Sequence, residues 1–260
     1  MTLRPVQDTL PLTEQCHHYD KIDQVPWDLQ KYWHQRNSIF SFYDFGIRLT
    51  NDAWFGVTPE PVATQVAKDI RSHKHSTPRK DTIVDLFAGA GGNTIAFALS
   101  EKWTRVIGIE KDASTLACAQ HNAGVYGVAD AITWIHGDCL DFLARLKEAN
   151  GNANGKEKKG KALDPSLQLD LASTVLFASP PWGGVSYRGH DVFDLSTMEP
   201  YNLATLHEAC RPMEHALFLP RTSDVRQIAA LVPEGGDKIE VVQYCMEGAS
   251  KAMVAYMPAE

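Results

Sequence analysis

The fold of this chain is decided by one stretch, Thr82-Ile83-Val84-Asp85-Leu86-Phe87-Ala88-Gly89-Ala90-Gly91-Gly92. Its first part, Thr82 to Phe87, is apolar and β-branched, which is typical of a short buried strand. The glycines that follow predict a tight turn, because glycine adopts backbone conformations that other residues avoid. The apolar run from Asn93 to Ser100 then predicts a helix. The stretch therefore predicts a strand, a glycine turn and a helix in direct succession.

The same alternation continues towards the carboxyl terminus. Further strands are predicted at 105–109, 131–135, 173–178, 215–219, 238–245 and 251–257, and helices at 113–124, 139–149, 202–211 and 222–231. This order predicts an α/β fold with a doubly wound, mostly parallel sheet of seven strands and helices on both faces. The short Gly-Ala-Ser connection before the last strand predicts an antiparallel hairpin at the sheet edge.

Three segments stand outside this alternation. Residues 1–26 are weakly patterned and are predicted to form a tail. Residues 27–80 are rich in aromatic side chains and predict a small helical extension, with a helix from 59 to about 71 that Thr58 caps. The main α/β domain is predicted at 81–260. Within it, residues 150–168 are rich in Gly, Asn and Lys, which predicts an exposed insertion of low complexity.

Composition excludes several classes of protein. The 260 residues suffice for one domain with an extension, and the net charge of −7 argues against a broad, non-specific nucleic-acid binder. Five scattered cysteines without a CxxC pair argue against a disulfide framework or a zinc site, so no metal is predicted. Neither a secretory signal nor an apolar run of membrane-spanning length is visible, which predicts a soluble intracellular protein.

Acidic residues follow the first three predicted strands: Asp85, Glu110 and Asp138. Ligands of such sheets bind at the carboxyl ends of the strands, and an acidic residue after the second strand can hold both ribose hydroxyls of a cofactor. A dinucleotide is one candidate, but Thr94 stands where the third glycine of its fingerprint belongs. S-adenosylmethionine carries no pyrophosphate, and its amino group favours a nearby carboxylate such as Asp85. The pattern therefore favours S-adenosylmethionine.

A second motif follows the fourth strand, Ser179-Pro180-Pro181-Trp182-Gly183-Gly184. Two prolines end the strand, because neither can donate a backbone hydrogen bond to the sheet. A small polar residue, two prolines and an aromatic ring are typical of methyltransferases that act on an amino group attached to a flat ring. Ser179 and a backbone carbonyl would accept hydrogen bonds from the amine, and Trp182 would stack on the ring. A proline-rich loop with a buried tryptophan is the structural alternative.

Over residues 27–257 the chain resembles the trimethylguanosine synthase family of RNA cap methyltransferases. The motifs that carry the resemblance are Lys31-Tyr32-Trp33, Trp54-Phe55-Gly56-Val57-Thr58-Pro59-Glu60, Gly91-Gly92-Asn93-Thr94-Ile95, Asn122-Ala123-Gly124-Val125-Tyr126-Gly127, Ser179-Pro180-Pro181-Trp182-Gly183-Gly184 and Leu219-Pro220-Arg221. The resemblance implies a class I, Rossmann-like fold and methylation of the 2-amino group of a 7-methylguanosine cap by S-adenosylmethionine. The implied product is the 2,2,7-trimethylguanosine cap of small nuclear and small nucleolar RNAs.

The resemblance also implies partners and a location. It implies capped RNA as substrate, adaptors from RNA–protein particles, no membrane, a monomeric enzyme, and a nuclear location that includes the nucleolus and allows a cytoplasmic fraction. It further implies roles for individual residues. The implied catalytic residues are Ser179, Pro180 and Trp182. The implied cofactor residues are Thr58, Asp85, Gly89, Gly91, Asn93, Glu110, Asp138 and Ser179. The implied substrate residues are Lys31, Phe40, Asn122, Trp182, Tyr187 and Arg221.

The chain departs from the family pattern at two positions that bear on the site. Gly56 stands where the family usually has Ser, and Thr222 where it usually has Asn. These departures bear on cap affinity more than on the type of reaction. Two alternatives stay open at this point: an amino-methyltransferase that acts on an internal RNA or DNA base, and a cap-binding protein that has lost catalysis.

Overall fold

The structure is a computed structural model that describes residues 2–70, 80–151, 163–182, 191–236 and 238–259. Its centre is a seven-stranded sheet with the order β3-β2-β1-β4-β5-β7-β6. The strands are β1 Thr82–Asp85, β2 Arg105–Glu110, β3 Ile132–His136, β4 Thr174–Ala178, β5 Glu214–Pro220, β6 Glu240–Met246 and β7 Ala249–Met257. Strands β1 to β5 run parallel, whereas β7 is antiparallel to both β5 and β6. The predicted sheet and its edge hairpin are confirmed.

Helices cover both faces of this sheet. In the described ranges they are α1 Gln30–Trp33, α2 Arg36–Ile39, α3 Ala53–Gly56, α4 Glu60–Asp69, α5 Gly92–Leu99, α6 Ala113–Val125, α7 Cys139–Gly151, α8 Leu203–Cys210 and α9 Val225–Ala229. One apolar cluster joins the amino-terminal helices with α5, α6 and one sheet face, and a second joins α7, α8 and α9 with the other. None of the helices in the described ranges has the length and apolar character that a membrane span requires.

Side chains that cap turns shift several boundaries away from their predicted places. Strand β1 ends at Asp85 instead of Phe87, because the Asp85 carboxylate accepts the Phe87 N–H at 3.2 Å and starts the turn. Helix α9 begins at Val225 instead of 222, because Asp224 caps it by accepting the Arg226 N–H. Such polar contacts leave no trace in hydrophobic periodicity.

Hydrogen bonds donated by its backbone N–H groups hold the amino-terminal segment to the α/β layers. The Val6 N–H donates to the Trp134 carbonyl at 2.8 Å, and the Leu10 N–H donates to Gln120 Oε1 at 2.8 Å. Cys16 is buried against helix α6, where its thiol lies 3.4 Å from the Ser114 carbonyl. Hydrogen bonds of this kind do not require a regular apolar pattern, which is why residues 2–26 show so little periodicity.

Strand order reverses between β1 and β4, since the chain builds outward to β3 on one side and to β5 on the other. In a doubly wound sheet this reversal opens a crevice at the carboxyl ends of the strands. The predicted insertion at 150–168 lies mostly outside the described residues, which stop at Gly151 and resume at Leu163.

Candidate active site

A cavity of about 610 Å³ lies at that crevice. Its lining comes from the ends of β1 to β4, from helix α3 and the loop after it, and from the segment before helix α8. The lining residues of the strand ends include Gly89, Glu110, Asp138, Ser179 and Pro180. The four strand ends that the sequence predicted to share a ligand therefore meet at one cavity.

The glycine turn after β1 forms the floor of the cavity. Gly91 has a φ of +96°, which a residue with a side chain rarely adopts, and it precedes the first turn of α5. A Cβ on Gly92 would meet Val57 Cγ2 at 3.3 Å and the Thr58 carbonyl at 3.4 Å. Gly92 suits this position because the amino-terminal extension packs directly against the floor, where a Cβ would press on Val57.

Glu110 organises the turn from the end of β2. Its Oε2 accepts the Gly89 N–H at 2.9 Å, and its Oε1 accepts the N–H groups of Lys111 and Asp112 at 2.8 and 2.9 Å. Burial raises the pKa of this carboxyl, and the three N–H groups partly offset the rise. Oε2 keeps a lone pair beyond its single bond to Gly89, which suits a hydroxyl donor such as that of a ribose.

Asp138 occupies the equivalent place after β3. Its Oδ1 accepts the N–H groups of Leu140 and Asp141 at the start of α7, at 2.9 and 3.3 Å. Its Oδ2 accepts the Tyr201 hydroxyl at 2.5 Å and lies 3.6 Å from Lys111 Nζ. Burial acts against ionisation, but these donors and the ammonium prevail and lower the pKa of Asp138.

Asp85 lies behind the floor and is not among the residues that line the cavity. It is fully buried, and its carboxylate accepts the Thr94 hydroxyl at 2.6 Å and the Phe87 N–H at 3.2 Å. Burial raises its pKa to about 7. Its contacts tie the end of β1 to helix α5, so its geometry is that of a residue that shapes the glycine turn. Direct contact with the cofactor's amino group stays a prediction.

Thr58 and Asn93 join the extension to the cavity. Both residues are buried and line it, and the Asn93 amide nitrogen donates to Thr58 Oγ1 at 3.0 Å. Asn93 Oδ1 is buried and has no hydrogen-bond partner among the described residues. A buried acceptor without a partner is costly unless a ligand supplies a donor. S-adenosylmethionine carries such donors on its amino group, ribose and purine, so the residues present fit this cofactor.

The Ser-Pro-Pro-Trp motif follows β4 at the edge of the same cavity, and Trp182 is not itself among the lining residues. Ser179, Pro180 and Pro181 line the cavity directly after β4. The Trp182 indole stacks on the Phe218 ring with centroids 6.1 Å apart and planes 11° apart, and its Nε1 lies 3.3 Å from the Phe218 carbonyl. Strand β5 therefore holds the ring beside the motif. Gly183, Gly184 and Tyr187 lie outside the described residues.

The predicted substrate residues are not all at the cavity. Lys31 and Arg221 are exposed, with Lys31 Nζ 4.9 Å above the Tyr32 ring and Arg221 directly after β5. Phe40 is buried 6.1 Å from the Tyr126 ring, away from the cavity lining. Asn122 is also buried and away from that lining. Its amide donates to the Arg48 and Ala90 carbonyls and accepts the Arg48 N–H.

Asn122 therefore fastens the extension and the glycine turn to helix α6. The structure also places residues in the lining that the sequence analysis did not select: Ala53, Lys111, Asp112, Pro200 and Tyr201. Lys111 and Asp112 could have been found, since they directly follow Glu110 at a strand end. Tyr201 had no such signal, because it lies in an irregular segment far from any motif.

The two departures from the family pattern lie near this site. Gly56 lines the cavity, and a Cβ built there would meet nothing within 4 Å, so a serine could be accommodated. The Thr222 hydroxyl is buried without a hydrogen-bond partner in the described ranges, next to the exposed Arg221.

Sheet order, cavity position and carboxylates together define a class I methyltransferase that uses S-adenosylmethionine. Comparison with known proteins identifies the family. A family model described as RNA cap guanine-N2 methyltransferase matches residues 80–260. The chain belongs to this family.

Two relatives named trimethylguanosine synthase match most of the chain. The protein from Schizosaccharomyces pombe (strain 972 / ATCC 24843) is 38% identical over 235 residues, which cover 89% of this chain and 87% of that protein. The protein from Saccharomyces cerevisiae (strain ATCC 204508 / S288c) is 32% identical over 205 residues, covering 77% of this chain and 57% of that protein. Among solved structures, human methyltransferase 10 domain containing protein shares the fold with a TM-score of 0.51 and 13% identity, covering 89% of this chain and 98% of that one.

The chain is therefore an enzyme that methylates the guanine 2-amino group of an RNA cap with S-adenosylmethionine as methyl donor. Membership of this family and the similarity to a trimethylguanosine synthase argue against a dinucleotide-dependent enzyme and against a cap-binding protein that has lost catalysis.

Proposed function

We propose that the enzyme acts as a trimethylguanosine synthase, adding two methyl groups to N2 of a 7-methylguanosine cap on small nuclear and small nucleolar RNAs. The observation that carries the proposal is the placement of Ser179 and Pro180 on the cofactor cavity, with the Trp182 ring two residues after Pro180. An amine held by the first two would face the cavity, while its purine would lie against the indole.

Catalysis in this proposal is positioning. Bound S-adenosylmethionine supplies the methyl group and leaves as S-adenosylhomocysteine. Ser179 and the carbonyl of Pro180 accept hydrogen bonds from the amine N–H groups and aim the nitrogen lone pair into the cavity. That lone pair is delocalised into the purine, so alignment matters more than a strong base. No histidine, lysine or cysteine occurs in Ser179-Pro180-Pro181-Trp182, and the proton leaves to solvent after transfer.

Trp182 would select the 7-methylated base. Methylation at N7 makes the purine cationic, and indole is the side chain that binds a cation on its face most strongly. The Phe218 ring supports one face of the indole, and the cap would stack on the opposite face. Stacking is worth about 1–3 kcal/mol per base, and the positive charge adds about 0.5–2 kcal/mol. Both terms favour a 7-methylated cap over an unmethylated one.

The exposed cations Lys31 and Arg221 would contact the cap triphosphate. Small nuclear and nucleolar RNAs as substrates would place the enzyme in the nucleus, including the nucleolus. Adaptors from RNA–protein particles would deliver the substrate to a monomeric enzyme.

The test is methyl transfer from isotope-labelled S-adenosylmethionine to a 7-methylguanosine cap dinucleotide. Digestion to nucleosides should place the label on N2, first once and then twice. An uncapped RNA and a DNA oligonucleotide of matched length serve as controls. Label on an internal base of those controls, with none on the cap, would replace the proposal with the internal-base methyltransferase.

A further inference from the structure

Tyr201 belongs to the segment before helix α8, and with Pro200 it forms the wall that faces the α7 and α8 layer. Its hydroxyl reaches the end of β3 and donates to Asp138 Oδ2 at 2.5 Å. Its ring lies 6.3 Å from that of Phe87, which also lines the cavity. The Tyr201 side chain therefore connects Phe87, at the start of the glycine turn, with Asp138, after the end of β3.

The hydrogen bonds of Asp138 show what this contact leaves for a ligand. Oδ1 is used by the two N–H groups at the start of α7. Oδ2 accepts the Tyr201 hydroxyl and has capacity for one more donor, since each carboxylate oxygen has two lone pairs. Lys111 Nζ, at 3.6 Å, is beyond ordinary hydrogen-bond range but keeps the charge compensated. Asp138 therefore presents an ionised, oriented acceptor to the cavity.

Besides Lys111, the cavity offers this acceptor apolar and aromatic neighbours. The rings of Phe87 and Tyr201 and the side chains of Pro200 and Ile109 line the same cavity. A planar heterocycle with one exocyclic amine matches this combination, because the plane packs on the rings and the amine donates to Oδ2. The purine is the part of S-adenosylmethionine with those two properties.

We propose that Tyr201 is a positioning residue for the purine of the cofactor: by holding Asp138 Oδ2, it directs the carboxylate towards the exocyclic amine and so selects adenine. The inference rests on the proposed function only in taking S-adenosylmethionine as the cofactor. It does not depend on which RNA is methylated.

The test is Tyr201→Phe, which removes the hydroxyl and keeps the ring. Calorimetry without RNA measures the affinities for S-adenosylhomocysteine and for S-inosylhomocysteine, in which an oxygen replaces the exocyclic amine. Wild-type protein should bind the adenine ligand at least about tenfold more tightly than the inosine ligand. In Tyr201→Phe the adenine ligand should lose about 5- to 10-fold in affinity, because a charge-assisted hydrogen bond orients its acceptor. The affinity for the inosine ligand should change less, so the ratio of the two affinities should become smaller.

A matched control lies outside the cavity. The Tyr126 hydroxyl donates to Glu60 Oε2, also at 2.5 Å, and neither residue lines the cofactor cavity. Tyr126→Phe should leave both affinities unchanged. Equal weakening of both ligands by Tyr201→Phe would show a merely structural wall and overturn the proposal, as would unchanged binding of both.

A second variant covers the case in which Tyr201→Phe folds poorly. Asp138→Asn keeps an oxygen for the α7 N–H groups but replaces Oδ2 with a donor, so it should also narrow the discrimination. Preserved adenine preference in this variant would contradict the proposal. Methyl transfer to the cap at saturating cofactor tests the proposed function separately from the role of Tyr201. If the enzyme did not methylate the cap, the ratio of the two ligand affinities would still test Tyr201.

Discussion

At the residue scale, the buried carboxyl of Asp85 makes stability depend on pH. Burial raises its pKa in the folded protein to about 7 from an ordinary value of 3.8. The folded state therefore binds this proton more tightly than the unfolded chain does. As a result, the contribution of Asp85 to the free energy of unfolding decreases as pH rises from about 4 to about 7 and is then constant.

Asp85→Asn should remove this dependence, since the amide does not titrate and its oxygen can still accept the Thr94 hydroxyl. The free energy of unfolding of the variant minus that of wild type should increase by about 2.5 kcal/mol from pH 5 to pH 8. Urea unfolding at the two pH values measures it. Asp130→Asn, at an exposed position, is the control and should show no such change. A difference that is the same at both pH values would refute the assignment of the titration to Asp85.

Trp182 is the residue on which cap recognition should depend most. Trp182→Ala removes the stack and lets the amine move away from Ser179, so kcat/KM on a 7-methylated cap dinucleotide should fall at least about 100-fold. Trp182→Phe should keep part of the activity, because a smaller ring still offers a face. Affinity for S-adenosylhomocysteine should survive both changes.

The control for Trp182 is another tryptophan of the same chain. Trp27 is 87% exposed, so Trp27→Ala should leave the kinetics on a cap dinucleotide unchanged. An active Trp182→Ala enzyme, or one that loses the cofactor as well as the cap, would disprove the proposed role.

From local pattern alone, single site residues were predictable where they follow a strand, whereas Thr58 and Asn93 were selected by resemblance to the family. Glu110, Asp138 and Ser179 were selected because they end strands, and all three line the cavity. Asn122 was selected by resemblance alone, and its side chain is fully used in joining Arg48 and Ala90. Tyr201 acts across the fold, and no local pattern marks a side chain of that kind.

At the scale of elements, the loop after α3 and the first turn of α5 form one cavity wall together. Gly92→Ala should push them apart, because the new Cβ would lie 3.3 Å from Val57 Cγ2. Affinity for S-adenosylhomocysteine should fall about 5-fold or more, with a loss of stability of about 1–3 kcal/mol from overpacking. Calorimetry and thermal unfolding measure the two effects.

Gly124→Ala is the matched change. Gly124 is also helical, in α6, and nothing lies within 4 Å of a Cβ placed there. That substitution should stabilise the protein by about 0.5–1 kcal/mol, because alanine is the better helix former, and should leave cofactor affinity unchanged. Equal effects at the two glycines would show that the extension does not shape the wall.

The sequence predicted whether each element is a helix or a strand more accurately than it predicted where the element begins and ends. The helix at Glu60–Asp69 was expected because Pro59 follows the cap candidate Thr58, and it is present. Thr58 instead lies at the cavity and bonds to Asn93, so its side chain serves the site and not the helix end. Some hydrogen bonds of residues 2–26, such as that from the Val6 N–H to the Trp134 carbonyl, involve distant partners, which a local pattern cannot reveal.

At the scale of the whole molecule, the seven-stranded sheet follows from alternation alone. Parallel strands need helical crossovers, and the order of strands and helices in the chain leaves few sheets to consider. The cavity then follows from the reversal between β1 and β4. The contribution of the amino-terminal extension to that cavity was implied only by the resemblance, through Thr58, because the pattern of residues 53–58 does not indicate which surface they cover.

We propose that the whole assembled site is a methyltransferase cavity whose motif accepts a cationic, 7-methylated guanine. The most direct measurement compares kcat/KM of the wild-type enzyme on two cap dinucleotides that differ only in the 7-methyl group. We expect a preference of at least about tenfold for the 7-methylated cap, since the positive charge over Trp182 is worth about 0.5–2 kcal/mol and stacking also fixes the amine. Equal kcat/KM values on the two caps would contradict it.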